Sequence, residues 1–192
     1  MKISKATPED AANLAYLINL AGEGIPEFLW SEMITGKETA LEVGTQRAAR
    51  EDGGFSYKNA KVVRLEQEVA GMIIAYQLDN PYDPGDLNDY PAVVRPLIEL
   101  EAKAPGSWYI NALATMEQYR GLGIAKALIL EAEKQAKDAQ VKTMSLIVAA
   151  ENQAAKQLYL DLSYQQKASL PAVNFPNSVQ LGRWELLIKR LK

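Results

Sequence analysis

Apolar residues recur along this chain in two periods, and the places where the period changes mark out the elements. Leu14, Leu17, Ile18 and Ala21 in "TPEDAANLAYLINLAG" stand at helical spacing. Thr7 suits the N-cap, Pro8 the first helical position, Asp10 completes a capping box, and Gly22 stops the helix. A short strand, "MKIS", precedes it. A second helical region is predicted over roughly 26–50, with a break near Gly36 and a close at Gly53-Gly54. "AKVVRLEQEVAGMIIAYQL" reads as a hairpin, two β-rich runs around a polar turn at Glu66 to Glu68.

The stretch "DNPYDPGDLNDY" (79–90) then breaks both periods. It holds four Asp, two Pro, one Gly and no basic residue, so it reads as a loop. A helix follows in "AVVRPLIELEAKA", its start limited by Pro96 and its end set by Pro105-Gly106. Residues 79–106 thus read as an insertion within a single domain spanning 1–192. "SWYINALAT" is a buried strand, followed by a helix to about Ala139 with Leu122, Ala125, Leu128, Ile129, Ala132 and Ala136 on one face. "KTMSLIVAA" is the next strand. In "NQAAKQLYLDLSY", Ala155, Leu158, Tyr159 and Leu162 again follow helical spacing. Two last strands, "YQQKAS" and "GRWELLIKRL", flank the loop "LPAVNFPNS". Strands at both ends with βαβα in the middle predict a mixed α/β sheet.

Composition narrows the chemistry mainly by what it lacks. With 48% apolar and 23% charged residues the chain is an ordinary globular protein, and its net charge of −3 does not suggest a nucleic-acid partner. "MKISKATPED" does not resemble a secretory signal, and "VAGMIIAY" is too short to span a bilayer, so the expectation is a cytoplasmic protein without a membrane partner. There is no cysteine and no histidine. Disulfides, thiolate nucleophiles, Ser-His-Asp triads and most zinc sites are therefore excluded, and no metal is expected. Proton transfer has to run through Asp, Glu, Tyr, Lys, a terminus or water.

The remaining question is why "QYRGLGIAKAL" (118–128) places Gly121 and Gly123 where an apolar strand ends and a helix begins. A dinucleotide fingerprint fails, because the residue three beyond Gly123 is Lys126, and no Walker loop is present. Strand, short glycine bend and helix N-terminus remain: free backbone N–H groups, the positive end of a helix dipole and Arg120 at the mouth, an arrangement that suits an anion. A plain tight turn would account for the glycines equally well.

Arg120-x-x-Gly123-x-Ala125 after an apolar strand resembles the acyl-CoA pyrophosphate loop of the GNAT N-acetyltransferase superfamily. "ENQAAKQLYLDLSY" resembles that family's next motif, Asn-x-x-Ala-x-x-Leu-Tyr, with Ser163 where the family usually has Gly. The resemblance covers most of the chain except 79–106 and part of 23–58. It implies the family's splayed, mostly antiparallel sheet flanked by helices. It also implies acetyl-CoA as acyl donor and direct transfer of an acetyl group to a primary amine of a small molecule or peptide. A GNAT-like acyl-CoA sensor without turnover is the alternative.

By the same resemblance, backbone groups of Leu113, Ala114 and Thr115 would pair with the pantetheine arm. Gln118, Tyr119, Arg120, Gly121, Leu122, Gly123, Ile124 and Ala125 would hold the diphosphate, with Asn152 and Ala155 also at the cofactor. Tyr159 matches the family's general-acid tyrosine. Backbone N–H groups of the central strand can polarise the thioester carbonyl. A phenol near pKa 10 protonating a thiolate near 8.5 is uphill by roughly 2 kcal/mol, so Tyr159 is expected to act by hydrogen bonding and late proton transfer. For the base, Glu23, Glu27, Glu99, Glu101 and Glu117 are all available; Glu27 and Glu101 are preferred, and no spacing argument chooses between them. Lys156 reads as a solvated surface lysine. The acceptor is expected near 23–35, 79–106 and 171–178, where Trp30, Tyr82, Tyr90, Phe175 and the aspartates can form an acidic, aromatic funnel. The C-terminal strands offer an edge for a possible homodimer.

Overall fold

The computed structural model describes residues 1–176, 178 and 181–192. The chain forms two compact units, one made of Met1–Ala75 and Asn111–Glu131, the other of Tyr76–Ile110 and Ala132–Lys192. In the first, β1 (Lys2–Lys5) pairs antiparallel with β2 (Ala60–Leu65), which pairs antiparallel with β3 (Glu68–Gln77). The hairpin turn lies where the polar break predicts it. Glu66 and Gln67 both take positive φ (48° and 74°), the twist that suits a two-residue hairpin turn.

Three helices belong to the same unit: α1 (Ala11–Ala21), α2 (Ile25–Ser31) and α3 (Ala40–Ala48). Leu14, Leu17 and Ile18 of α1 are buried, as their spacing requires. The chain enters α1 through a 3₁₀ turn, Pro8–Asp10, rather than directly from Thr7. The Asp10 carboxylate accepts from the Thr7 backbone N–H at 2.8 Å and from the Arg64 guanidinium at 2.7 Å. Burial pushes that carboxyl up, but these hydrogen bonds outweigh it and hold it below the usual range. Trp30 does not belong to a funnel: it is 3% exposed, and its ring lies so close to Gly44 of α3 that an added Cβ would sit 2.4 Å from it.

The second unit holds α4 (Arg95–Glu101), β5 (Thr143–Ala149), α6 (Gln153–Asp161), β6 (Gln165–Pro171) and β7 (Arg183–Arg190). Its part of β4 (Trp108–Thr115) runs parallel to β5, with Tyr109 opposite Ser145. β7 pairs antiparallel with both β5 and β6, so the last strand of the chain takes an interior place. The residues explain this. β7 has four successive buried positions, Trp184 to Leu187, whereas β6 begins "QQK" fully exposed, which suits an edge. Hydrogen bonding gives the order β1-β2-β3-β4-β5-β7-β6, a seven-stranded, mostly antiparallel open sheet flanked by helices.

The long helix α5 (Ile124–Asp138) buries Ile124, Leu128, Ile129, Ala132 and Ala136. Leu122 is not on that face. It precedes the helix and is 57% exposed, because the glycine bend turns it outward before helical periodicity begins.

Candidate functional site

The bend between β4 and α5 is built from the first unit alone. A 3₁₀ turn, Glu117–Tyr119, follows β4, and the Met116 N–H bonds the Ala70 carbonyl of β3 at 2.9 Å. The Tyr119 hydroxyl donates to Glu68 at 2.8 Å, so its side chain fastens the turn to the hairpin and only its backbone is left for a ligand. Gly121 and Gly123 have φ of +78° and +76°, the left-handed region open to glycine. A Cβ built on either would meet nothing within 4 Å. The glycines therefore serve the backbone conformation, and the space above them is clear of protein. The Gly123 carbonyl accepts from the Ala127 N–H at 3.0 Å, which opens α5. The N–H groups of its first turn then have no helical partners.

Around the bend, Gln118 and Arg120 are exposed, with Arg120 4.0 Å from the exposed Glu117. Ile124 is a core residue, 1% exposed, so it can offer a ligand only its amide, and Ala125 is half-buried. Along β4, Leu113 and Thr115 are half-buried and Ala114 is buried. The Thr115 hydroxyl oxygen is buried and has no hydrogen-bond partner among the described residues. An orphaned hydroxyl costs free energy unless something bonds it.

Tyr159 and Asn152 sit on α6 in the second unit. The Asn152 side chain accepts from the Ala155 N–H at 3.2 Å, an ordinary N-cap that also fixes Ala155 in the first turn. At the other end Ser163 takes φ +69°. Its N–H bonds the Leu160 carbonyl at 2.9 Å, and the Tyr164 N–H bonds the Tyr159 carbonyl at 3.0 Å. This is a Schellman stop with serine where a glycine fits best, and the Tyr159–Tyr164 ring contact (centroids 5.9 Å apart) is its hydrophobic closure. Tyr164 is held in turn. Its hydroxyl donates to Glu133 at 3.3 Å, and Lys189 bonds Glu133 at 2.7 Å while lying 5.5 Å over the Tyr164 ring. The stop motif thus fixes the ring of Tyr159. Its hydroxyl has no hydrogen-bond partner among the described residues, and burial pushes the phenol well above its usual pKa.

The two preferred base candidates have different surroundings. Glu27 is exposed on α2 and engaged with Asn19: the Asn19 amide donates to it at 2.7 Å, and its own N–H bonds the Asn19 side-chain oxygen at 2.9 Å. Glu101, at the end of α4, is half-buried among three tyrosines. The Tyr82 hydroxyl donates to it at 2.7 Å, Tyr109 also hydrogen-bonds it, and Tyr76 meets Tyr109 edge-on at 6.1 Å. Burial raises the Glu101 carboxyl, and the two phenol hydrogen bonds oppose that rise. Glu99 is paired with Lys103 at 3.3 Å, and Glu23 is half-buried.

Lys156 is not a solvated lysine: it pairs with the buried Glu185 at 3.0 Å, and only 20% of its side chain is exposed. Tyr82 and Tyr90, in the 79–106 segment, are half-buried. In the 171–178 loop Phe175 is half-buried, and Asn177 lies outside the described residues. Sequence reasoning did not single out Tyr76 and Tyr109. Their signal is that one lies at the end of β3 and the other at the start of β4, flanking the 79–106 segment. Among the described residues no group of three His, Cys, Asp or Glu side chains could hold a metal ion, and no helix is long and apolar enough to cross a membrane.

A family model described as "Acetyltransferase (GNAT) family" matches residues 26–164. Among solved structures, an N-acetyltransferase from Staphylococcus aureus Mu50 superposes with a TM-score of 0.65 at 21% identity, covering 98% of this chain and 100% of that one. A ribosomal-protein-alanine N-acetyltransferase from Brucella melitensis gives 0.63 at 19% identity, with 100% of both chains covered. A polyamine N-acetyltransferase from Drosophila melanogaster gives 0.69 at 12% identity, with 99% of both covered. At these identities the likeness is one of fold. The search among curated proteins returns no match.

Proposed function

The chain belongs to the GNAT acetyltransferase family, and from that premise we propose that it transfers the acetyl group of acetyl-CoA to a primary amine of a small molecule or peptide. The carrying observation is the glycine bend: two left-handed glycines with open space above them, at the start of a 15-residue helix. The orphaned Thr115 hydroxyl, on the strand leading into that bend, fits a ligand that bonds it.

In this reading the amides of the bend, with Arg120, hold the diphosphate, and Leu113, Ala114 and Thr115 hold the pantetheine arm. Bound acetyl-CoA would supply an activated acetyl thioester. Glu101 takes a proton from the arriving ammonium, leaving a neutral amine able to attack. A carboxyl raised by burial is the better base for this than a fully solvated one, because its proton affinity lies nearer that of the amine. The Tyr159 hydroxyl bonds the leaving sulfur. Its raised pKa makes early donation unfavourable, so it gives up its proton only as charge develops on sulfur and regains one from the nitrogen. The balance is one ammonium and one thioester to one amide, one thiol and one proton, the last released from Glu101.

The test is thiol release from acetyl-CoA across a panel of primary amines, with the wild type and Tyr159→Phe. Turnover on at least one amine is expected, with kcat about 10²-fold lower in Tyr159→Phe and little change in acetyl-CoA binding. Binding of acetyl-CoA without turnover on any amine would leave a sensor. Absence of acetyl-CoA binding would overturn the reading entirely.

A further inference from the structure

A hydroxyl kept free for a ligand cannot be fixed by a hydrogen bond of its own. Tyr159 is in that position: the residue is 7% exposed, and its hydroxyl has no partner among the described residues. Its ring must then be held by what it lies against. The aromatic neighbour is Tyr164, itself 1% exposed, with ring centroids 5.9 Å apart and planes tilted by 60°.

Tyr164 is held at two points. Its hydroxyl donates to Glu133 of α5 at 3.3 Å, and the Lys189 ammonium of β7 lies 5.5 Å over its ring. Lys189 also bonds both oxygens of Glu133, at 2.7 and 2.8 Å. Burial, and then the Glu133 charge, push the Tyr164 phenol up, so it stays protonated and remains a donor. A second pair serves the same helix. Lys156, in the first turns of α6, bonds the buried Glu185 of β7 at 3.0 Å. β7 therefore ties α6 down on both sides of Tyr159, ahead of it through Glu185 and behind it through Lys189.

Folding stability is a poor reason for the triad of Tyr164, Glu133 and Lys189. The carboxylate and the ammonium, with 10% and 19% of their side chains exposed, have each lost most of their hydration. Apolar residues of similar volume in such places are often as stabilising or more so. What apolar packing lacks is direction. It lets a ring slide, whereas a hydroxyl bond at one end and a cation over the face fix both where the ring ends and which way it faces.

Resting on the acetyltransferase reading, we infer that Tyr164, Glu133 and Lys189 are positioning residues for catalysis: acting through the Tyr159 ring, they hold its hydroxyl in the orientation that acetyl transfer uses. None of the three has to touch substrate.

Two variants test this. Tyr164→Phe keeps the ring and removes only its bond to Glu133; Glu133→Gln keeps the shape and removes the charge that holds Lys189. In the full-length protein, on an amine that the wild type acetylates, each should lower kcat about tenfold, with KM for the amine and Kd for acetyl-CoA within about twofold of wild type. In a Tyr159→Phe background neither change should lower kcat further, because the hydroxyl they position is gone. Losses that multiply in that background, or kcat unchanged in both single variants, would overturn the inference and leave acetyl transfer standing. If no amine is turned over, carbon-13 NMR of protein carrying tyrosine labelled at Cζ decides the point without catalysis. The Tyr159 resonance, identified by its loss in Tyr159→Phe, should be one sharp line in the wild type. It should broaden or split in both variants, as a loosened ring exchanges between positions on the μs–ms scale. A line as sharp in both variants as in the wild type overturns the inference.

Discussion

Replacing Gly123 by alanine separates the two reasons a glycine can stand at the head of α5. The residue has φ +76°, and a Cβ there would meet no atom within 4 Å. The methyl group therefore brings no clash, only the intrinsic penalty of a left-handed L-residue, about 1–2 kcal/mol. Alanine recovers about 0.4–1 kcal/mol by reducing the freedom of the unfolded chain. The net loss is about 1 kcal/mol, which for a chain of this length lowers Tm by about 2–4 °C. Ligand binding should suffer more. If the open space is where a diphosphate approaches the backbone, the methyl group displaces it from at least one charge-assisted N–H bond. That bond is worth about 1.5–3 kcal/mol, or about 10- to 150-fold in Kd. Thermal melts of the unliganded variant read the first quantity and calorimetric titration with coenzyme A reads the second. A Tm lowered as expected with an unchanged Kd would show that the glycine shapes a turn and nothing more. An unchanged Tm would refute the backbone argument itself.

Three further outcomes follow from named contacts. Tyr159→Phe removes from a buried residue a hydroxyl that has no partner among the described residues, so the variant expected to lose turnover should melt no lower than the wild type; a clear drop in Tm would mean the hydroxyl has a structural bond. Ser163→Gly relieves a left-handed serine (φ +69°) and should raise stability by about 0.5–1 kcal/mol in urea unfolding; a lower midpoint would deny that the Schellman turn is strained. Arg64→Met removes the partner that depresses the Asp10 carboxyl, whose stabilisation is present above the unfolded pKa of about 4 and lost as pH falls through the lower folded value. The gap in urea midpoint between wild type and Arg64→Met should therefore be wide at pH 7 and narrow towards pH 2, and a gap independent of pH would contradict the ion pair.

Much of the fold was legible because its elements announce themselves locally. The α1 stripe, the polar break of the first hairpin, the Pro105-Gly106 stop and the Asn152 cap each depend on residues a few positions apart. What depends on distant partners was not legible. Leu122 fits the α5 stripe by counting, but helical counting does not hold across a bend with two positive φ angles. Lys156 looks like any surface lysine until β7, some thirty residues on, brings Glu185 to it. Trp30 suggests a binding loop by type alone, and only its packing against Gly44 makes it core.

The candidate site divides along the same line. Motif positions around the bend and on α6 are near in sequence, so their pattern can be read directly. The base is different: "ELEAKA" offers Glu99 and Glu101 two residues apart, and no periodicity ranks them. Chain geometry ranks them by what each meets. Glu99 reaches Lys103, one helical turn ahead, and is neutralised within its own segment. Glu101 meets hydroxyls from Tyr82, nineteen residues earlier, and from Tyr109 on the next strand. Among the described residues no ion pair reaches Glu101, and burial raises its carboxyl against the pull of those hydrogen bonds. Of the acidic, aromatic segment 79–106 it is Tyr82, which no acidic pattern marks, that donates to Glu101.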